Sequence, residues 1–227
     1  MKNKLETIEN RIDVWDICLP DHAGEQAAFR ELLTPEERDR AARFFRPADA
    51  DGFVLARGLL RRILGEYLDR PPAEIRFARN GNGKPFIENH PLEFNLSHSR
   101  ERTLIAVTSG RQVGIDIEFR RKDLSMEAIA ARWFAPEERA FFQSLQNPCD
   151  GFFDIWAKKE AYVKALGIGI YKNLNTFAVP TGGEPGYPMM GTDGKWFFQT
   201  LGIAPDYAAA LVSEAPSAPV CVRQFAG

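Results

Sequence analysis

The chain has 227 residues, enough for one large domain or two small ones with a sizeable core. Its 29 basic and 31 acidic residues, with 44% hydrophobic residues, are typical of a globular protein and exclude a general attraction for nucleic acid or anionic membrane. The cysteines are isolated from one another, so we expect neither a zinc site nor disulfide bonds. The N-terminus is polar and unlike a signal peptide, and no apolar run approaches the roughly 20 residues of a membrane span. We therefore expect a cytoplasmic location.

The first part of the chain is predicted to form a strand followed by three helices. Thr34 and Pro35 suit the N-cap and first position of the second helix, and a broad apolar stripe marks the third. These four elements are predicted at residues 11–18, at 25–33, from 35 onward and at 48–68.

The middle of the chain is predicted to be a β-hairpin. A strand at 75–78 leads into a turn-rich loop at 79–85. Strands at 103–108 and 113–118 are separated by a plausible tight turn at 109–111 and are therefore expected to pair with each other.

The strand 113–118 carries two acids on one face. Ile115 and Ile117 point to one side, while Asp116 and Glu118 point to the other, about 7 Å apart. This pattern indicates either a solvated edge strand or two carboxylates that need a cation between them.

The last part of the chain alternates helices and strands, and the overall class is predicted to be α+β without a provable sequence repeat. Its longest helix is predicted at 153–166 with Gly167 as its stop, and Trp156, Glu160 and Lys164 fall four apart on one face. Glu160 and Lys164 alone would be an ordinary exposed ion pair. The other elements are helices at 126–132 and 136–142 and strands at 177–179, 196–198, 208–212 and 220–222.

Several weaker signals have an ordinary structural alternative. Arg40 and Arg57 are typical of solvated helix arginines, Phe44-Phe45 of a core, and Ser97-His98 of a hydrogen-bonded turn. Arg79 and Lys84 flank a loop with Gly81 and Gly83 that suits a phosphate but matches no P-loop or dinucleotide motif. Aromatic residues at 133–134 and 141–142 face either a partner or the core.

Four ordered motifs resemble those of the Sfp-type 4′-phosphopantetheinyl transferases, in the branch that serves secondary-metabolite and broad-range carrier proteins. They are Gly83-Lys84-Pro85, residues 94–99, residues 113–118, and residues 156–161 with Lys164. The resemblance implies an enzyme that moves the 4′-phosphopantetheine arm of coenzyme A onto a serine of an apo acyl or peptidyl carrier protein and releases adenosine 3′,5′-bisphosphate. It also implies two similar α+β halves in pseudo-twofold arrangement, with residues 1–111 binding coenzyme A, residues 112–227 binding Mg²⁺, and the site in the cleft between them.

The resemblance also implies roles for individual residues. Mg²⁺ would be held by Asp116, Glu118 and Glu160. The coenzyme A contacts would be Arg40, Arg79, Lys84, Ser97, His98, Asp116 and Lys164, with Arg57 or Arg43 as substitute cations because Glu37 and Gly52 depart from the family pattern. Catalysis would fall to Glu160, Lys164 and His98, with the serine proton taken either by Glu160 or by a metal-bound water.

Two alternatives and an assembly state accompany this interpretation. A non-catalytic module that binds coenzyme A or a nucleotide would keep the fold for regulation. A Mg²⁺-dependent phosphohydrolase would be expected to carry a His-rich or extended Asp-rich cluster, which this sequence lacks. Since both halves lie on one chain, we expect a monomer with neither a nucleic-acid nor a membrane partner.

Overall fold

The computed structural model describes residues 4–168, 173–182, 187–188, 196–214 and 217–225. Within these ranges the helices are α1 (Lys4–Thr7), α2 (Gln26–Leu32), α3 (Pro35–Ala42), α4 (Pro47–Leu68), α5 (Met126–Trp133), α6 (Pro136–Ser144) and α7 (Pro148–Leu166). The strands are β1 (Ile12–Cys18), β2 (Ala78–Arg79), β3 (Pro85–Phe86), β4 (Leu92–Ser99), β5 (Arg102–Ser109), β6 (Val113–Phe119), β7 (Tyr187–Pro188), β8 (Trp196–Leu201), β9 (Tyr207–Glu214) and β10 (Val220–Gln224). The predicted α+β class is confirmed.

The strands form two four-stranded sheets and one small ribbon. The first sheet has the order β10-β1-β5-β4 and the second the order β6-β9-β8-β7, while β2 pairs only with β3. Strand β10 runs parallel to β1, so the last described strand belongs to the first sheet. The division predicted between residues 111 and 112 stays a prediction. Strand β10 lies after this boundary in the sequence but pairs with β1, which lies before it.

Each sheet packs against one long helix. Helix α4 buries Leu59 and Ile63 against the first sheet, and α7 buries Ala157 and Ala161 against the second. A third apolar cluster, which includes Leu104 of β5, joins residues of both sheets. Both sheets are therefore covered on two faces, which explains the continuous apolar run at residues 104–107 in β5.

The two long helices are each preceded by a short helix with the same local design. Pro35-Glu36-Glu37-Arg38 opens α3 and Pro136-Glu137-Glu138-Arg139 opens α6. In each, the second glutamate accepts a hydrogen bond from the N-cap backbone and pairs with a cation of the following long helix, Glu37 with Arg61 and Glu138 with Lys159, both at 2.8 Å. This repeated arrangement fits the predicted pair of similar halves.

The predicted hairpin between β5 and β6 is wrong, because the two strands lie in different sheets. One edge of β6 pairs with β9, and its other edge meets side chains of β4 instead of a backbone. The contacts follow a period of two: Asn95 Oδ1 accepts from Ile115 N at 2.9 Å, Ser97 Oγ from Ile117 N at 3.4 Å and Ser99 Oγ from Phe119 N at 3.0 Å. Alternate polar side chains on one strand thus replace a backbone ladder at the junction of the sheets.

Two further predicted strands are wrong because side chains satisfy their backbones. In the segment 75–78 only Ala78 joins a ribbon, and Ile75 O accepts from Arg61 at 2.9 Å. In the segment 177–179, Val179 N donates to Glu138 and Phe177 O accepts from Lys159, each at 2.7 Å.

None of the helices in the described ranges has both the length and the apolar composition needed to span a bilayer. The described cysteines, at positions 18, 149 and 221, are free.

Candidate active site

Helix α7 presents its functional side chains to β6 at very short range. It ends at Gly167, whose φ of 64° is the left-handed conformation of a helix C-cap, as the sequence predicts. Gly114 makes the contact possible, since a Cβ there would lie 2.0 Å from Ala161 O and 2.4 Å from Ala165 N. The missing side chain lets the helix rest directly on the strand that carries the paired acids.

Lys164, Asp116 and Ser97 form a cluster across this interface. Lys164 Nζ donates to Asp116 Oδ1 at 2.5 Å and to Ser97 Oγ at 2.8 Å, and the Ser97 hydroxyl donates to Asp116 Oδ1 at 2.8 Å. Asp116 is only 2% exposed, and its Oδ2 is buried without a hydrogen-bond partner among the described residues. Lys164 thus pairs with the acid of β6, and one carboxylate oxygen remains unsatisfied.

Glu118 and Glu160 interact with this cluster, and nearby positive charge only partly offsets their negative charges. Burial, followed by the Asp116 charge, raises the pKa of Glu118 from 4.5 to about 7, against the opposing effects of Lys164 and a hydrogen bond from Trp156. Burial and Asp116 also raise the pKa of Glu160, while Lys164 lowers it. The site therefore holds more negative charge than its lysine compensates.

These acids fit a hard divalent cation in chemistry and charge. Carboxylate oxygens are the ligands that Mg²⁺ prefers, and the bare Oδ2 of Asp116 and the raised pKa values mark a place where a cation would be stabilised. Among the described residues, no three histidine, cysteine, aspartate or glutamate side chains are drawn together as a formed metal site. The fit of Asp116, Glu118 and Glu160 to a cation therefore rests on their chemistry and charge.

The charge on Glu118 should make the metal-free protein less stable at alkaline pH. Its folded-state pKa of about 7 lies above 4.5, so the folded protein binds more protons than the unfolded chain between these values. The free energy of unfolding should therefore fall as the pH rises through this interval. Glu118→Gln should reduce this fall and be more stable at about pH 8 by on the order of 1 kcal/mol, allowing for partial exposure.

Urea unfolding in a chelating buffer, at several values from about pH 5 to about pH 8, measures this difference. The exposed acid Glu137, changed to glutamine, is the control and should keep the pH dependence of the original protein. If the free energy of unfolding falls equally steeply with pH in the original protein and in Glu118→Gln, the raised pKa assigned to Glu118 would be contradicted.

A pocket of about 540 Å³ opens beside this cluster between α3, α4 and β4. The basic residues on its wall are Arg40, Arg57, Arg79, His98 and Arg100, and aromatic rings of Phe44, Phe53 and Phe94 complete it. An aromatic cavity with several separate cations suits a planar ring that carries phosphates. Four of the predicted coenzyme A contacts thus share one pocket.

Two of the pocket arginines are held in place by neighbours. The Arg40 guanidinium lies 5.2 Å from the Phe53 ring centroid, and Arg57 lies 4.6 Å from that of Phe77. Arg57 also donates to Glu37 at 2.7 Å. Glu37, which departs from the family pattern, is therefore an internal support for Arg57 and does not line the pocket.

His98 lines the pocket and is exposed to solvent. Partial burial and the nearby Lys164 ammonium lower its pKa, while Asp116 opposes this shift. The neutral imidazole is therefore favoured near neutral pH, and it offers one donor and one acceptor to a ligand.

Lys84 does not line this pocket. Its ammonium donates to Ala165 O at 3.0 Å and to Val113 O at 3.2 Å, and burial lowers its pKa. Although its motif predicts a ligand contact, the structure places the Lys84 ammonium between β6 and the end of α7.

Sequence reasoning missed two residues at the site. Arg100 lines the pocket with a left-handed φ of 51°, and its guanidinium lies 3.4 Å from the Phe119 ring centroid. Trp156, for which the helical spacing predicts only a shared face with Glu160 and Lys164, stacks on Phe152 and also hydrogen-bonds Glu118. For Arg100 the only signal was its place directly after residues 94–99; for Trp156 it was the shared face with Glu160.

The aromatic pairs divide differently from their predictions. Phe44 and Phe45 are not core residues, because they are 38% and 98% exposed. Phe134 and Phe142 are buried, so their core alternative is confirmed, and Trp133 and Phe141 pack against the same core.

Comparison with known proteins gives consistent matches. The family model described as the 4′-phosphopantetheinyl transferase superfamily matches residues 112–212, and the model described as 4′-phosphopantetheinyl transferase, N-terminal, matches residues 20–110. The 4′-phosphopantetheinyl transferase HetI of Nostoc sp. is 37% identical over 174 residues, which are 74% of this chain and 73% of that protein. The 4′-phosphopantetheinyl transferase Sfp of Bacillus subtilis is 29% identical, over 86% of this chain and 88% of that protein. The solved structure of holo-[acyl-carrier-protein] synthase from Neisseria meningitidis is 22% identical with a TM-score of 0.39, covering 46% of this chain and 98% of that one.

Proposed function

The chain belongs to the 4′-phosphopantetheinyl transferase superfamily, and on that premise we propose that it transfers the 4′-phosphopantetheine group of coenzyme A to a serine of an apo acyl or peptidyl carrier protein. The other product is adenosine 3′,5′-bisphosphate. The observation that carries the proposal is the position of the cationic, aromatic pocket directly beside the buried cluster of Asp116, Lys164 and Ser97.

The pocket residues would bind the nucleotide part of coenzyme A. Arg40, Arg57 and Arg79 are separate cations on the pocket wall, which suits a ligand with a pyrophosphate and a further phosphate. The neutral His98 on the pocket wall would donate a hydrogen bond to a phosphate oxygen. These contacts would place the pyrophosphate next to Lys164.

The cluster at β6 would support transfer of the phosphopantetheinyl group. The carrier serine Oγ forms a new bond to the phosphorus that bears pantetheine, the bond from that phosphorus to the bridging oxygen breaks, and the nucleotide bisphosphate leaves with its electron pair. Lys164 would stabilise the charge on the leaving phosphate, and the serine proton would pass either to Glu160 or to a water molecule beside it. Mg²⁺ held by Asp116, Glu118 and Glu160 would supply further neutralisation of the pyrophosphate charge.

One assay tests the proposed function. The purified protein is incubated with coenzyme A, Mg²⁺ and an apo carrier protein, and the carrier is examined by mass spectrometry. A phosphopantetheinyl adduct on the carrier serine is the expected result. Binding of coenzyme A without an adduct would favour the non-catalytic module, and free phosphate without an adduct would favour a phosphohydrolase.

Removal of the Arg40 side chain should weaken the binding of coenzyme A more than it slows the transfer. Arg40→Ala deletes a pocket cation that is not part of the acidic cluster, so KM for coenzyme A should rise about 10-fold while kcat changes little. Steady-state kinetics with varied coenzyme A measures both constants. Arg43→Ala is the matched control, because Arg43 is exposed at the end of the same helix and does not line the pocket. A fall in kcat at unchanged KM would contradict the binding role.

A further inference from the structure

The loop between β2 and β3 touches both the pocket and the end of helix α7. Arg79 and Pro85, at its two ends, line the pocket. Asn80 Nδ2 donates to Gly167 O at 2.9 Å, and Lys84 Nζ donates to Ala165 O at 3.0 Å and Val113 O at 3.2 Å. One loop of the first half thus bonds to both elements that carry the acids of the second half.

The loop is internally braced. Asn80 Oδ1 accepts from the backbone N–H groups of Asn82 and Lys84 at 3.0 and 2.9 Å, and Asn80 N donates to Lys84 O at 3.0 Å. Arg79 donates to Gly83 O at 3.0 Å. Because these bonds fix the turn, the Asn80 amide and the Lys84 ammonium are held where α7 ends.

The contacts satisfy a need that every helix C-terminus has. The last carbonyl groups of a helix lack intrahelical partners and carry partial negative charge, so a cation and an amide donor stabilise them. Here the cation and the donor come from a distant part of the chain. Ala165 directly follows Lys164, so the bond to Ala165 O fixes the backbone from which the Lys164 side chain extends to Asp116.

A direct contact of Lys84 with a substrate phosphate fits these observations poorly. Both carbonyl bonds would have to be exchanged for the phosphate, and the last turn of α7 would lose its cation. The Lys84 and Asn80 side chains also leave no room for a side chain at position 167, since a Cβ added to Gly167 would lie 3.0 Å from Lys84 Cδ and 2.7 Å from Asn80 Nδ2.

We propose that Lys84 and Asn80 are positioning residues that hold the last turn of α7 against β6, so that Lys164 and Glu160 are aligned with Asp116. The inference rests on the proposed function. In it, Lys84 does not contact the ligand but acts by holding helix α7 in place. Since Arg79 lies in the same braced loop, the pocket and the acidic cluster share one rigid support.

Kinetics separate positioning from substrate binding. Lys84→Met keeps most of the apolar stem and removes both hydrogen bonds, so kcat should fall roughly 10- to 100-fold while KM for coenzyme A stays within about 2-fold. Arg79→Met, in the same loop but on the pocket wall, should instead raise KM. Asn82→Ala is the control, because its exposed side chain faces neither the helix nor the pocket.

Hydrogen exchange supplies a readout that does not depend on activity. Amides of the last turn of α7 should exchange faster in Lys84→Met and in Asn80→Ala than in the original protein, while those of α4 should be unchanged. Asn80→Ala is the second variant if Lys84→Met fails to fold, because it loses the bond to Gly167 O and the two side-chain bonds that brace the loop.

Three outcomes would overturn the proposal. A raised KM with preserved kcat in Lys84→Met would make Lys84 a substrate contact. If Lys84→Met has an unchanged kcat per folded molecule, or if hydrogen exchange in the last turn of α7 is unchanged, the loop would contribute only to the overall stability of the protein. If the original protein transfers nothing to any carrier, the proposed function fails, and the exchange experiment still decides whether the loop holds the helix.

Discussion

Replacement of Glu160 by glutamine is expected to lower kcat for the transfer on the order of 10³-fold, because in the proposed mechanism the serine proton would lose an acceptor and Mg²⁺ would lose a charged ligand. The amide keeps the size of the side chain and removes the charge of a carboxyl group whose pKa is raised by burial and by Asp116. The metal-free variant should therefore be at least as stable as the original protein. Transfer kinetics with saturating coenzyme A and carrier, together with urea unfolding, measure both effects.

A matched variant shows whether the loss is specific. Glu137→Gln makes the same chemical change on an exposed acid in the first turn of α6, and its kcat should equal that of the original protein. A Glu160→Gln enzyme with full activity in the presence of Mg²⁺ would exclude Glu160 both as a base and as a metal ligand. A loss of activity that is matched by a loss of folded protein would make its role structural.

The face of α7 could be predicted from the sequence because helical spacing is a local property. Residues four apart share a face whatever surrounds them, and Gly167 was identifiable as a stop from its residue type. What the spacing left open was the partner of Lys164. The structure supplies Asp116, 48 residues earlier in the chain, and that choice depends on long-range packing.

The junction of the sheets was less predictable because strand pairing is decided far from the turn. Residues 109–111 allow a hairpin, but β5 has β1 and β4 as neighbours, so β6 joins the other sheet. A signal was present in the alternation of Asn95, Ser97 and Ser99, whose short polar side chains can accept from backbone N–H groups. Read as a motif alone, the segment did not show that it joins two sheets.

Lys84 shows the limit of a motif match for individual side chains. Its neighbours Arg79 and Pro85 do line the pocket, so the segment lies where the resemblance implies. The direction of one side chain depends on which polar groups the fold leaves unsatisfied nearby, and here these are the carbonyls at the end of α7.

Addition of a single methyl group at Gly114 is expected to destabilise the protein by about 3 kcal/mol or more, at the upper end of overpacking effects. The added Cβ would meet Ala161 O at 2.0 Å and Ala165 N at 2.4 Å, and both are backbone atoms that no side-chain rotation can remove. Helix α7 would have to move away from β6. That movement would also separate Lys164 from Asp116, so the folded fraction of Gly114→Ala should transfer slowly even where the pocket still binds coenzyme A.

A second glycine, in α7 itself, provides the comparison for this prediction. A Cβ at Gly151 would lie 2.1 Å from Leu145 Cδ1, the end of a flexible side chain that can take another rotamer. Gly151→Ala should therefore cost far less than Gly114→Ala in urea unfolding, although the added methyl groups would meet their nearest atoms at almost equal distances. Equal losses of stability would show that the contact of α7 with β6 is adjustable, and the close approach at Gly114 would then not be what aligns Glu160 and Lys164 with the acids of the strand.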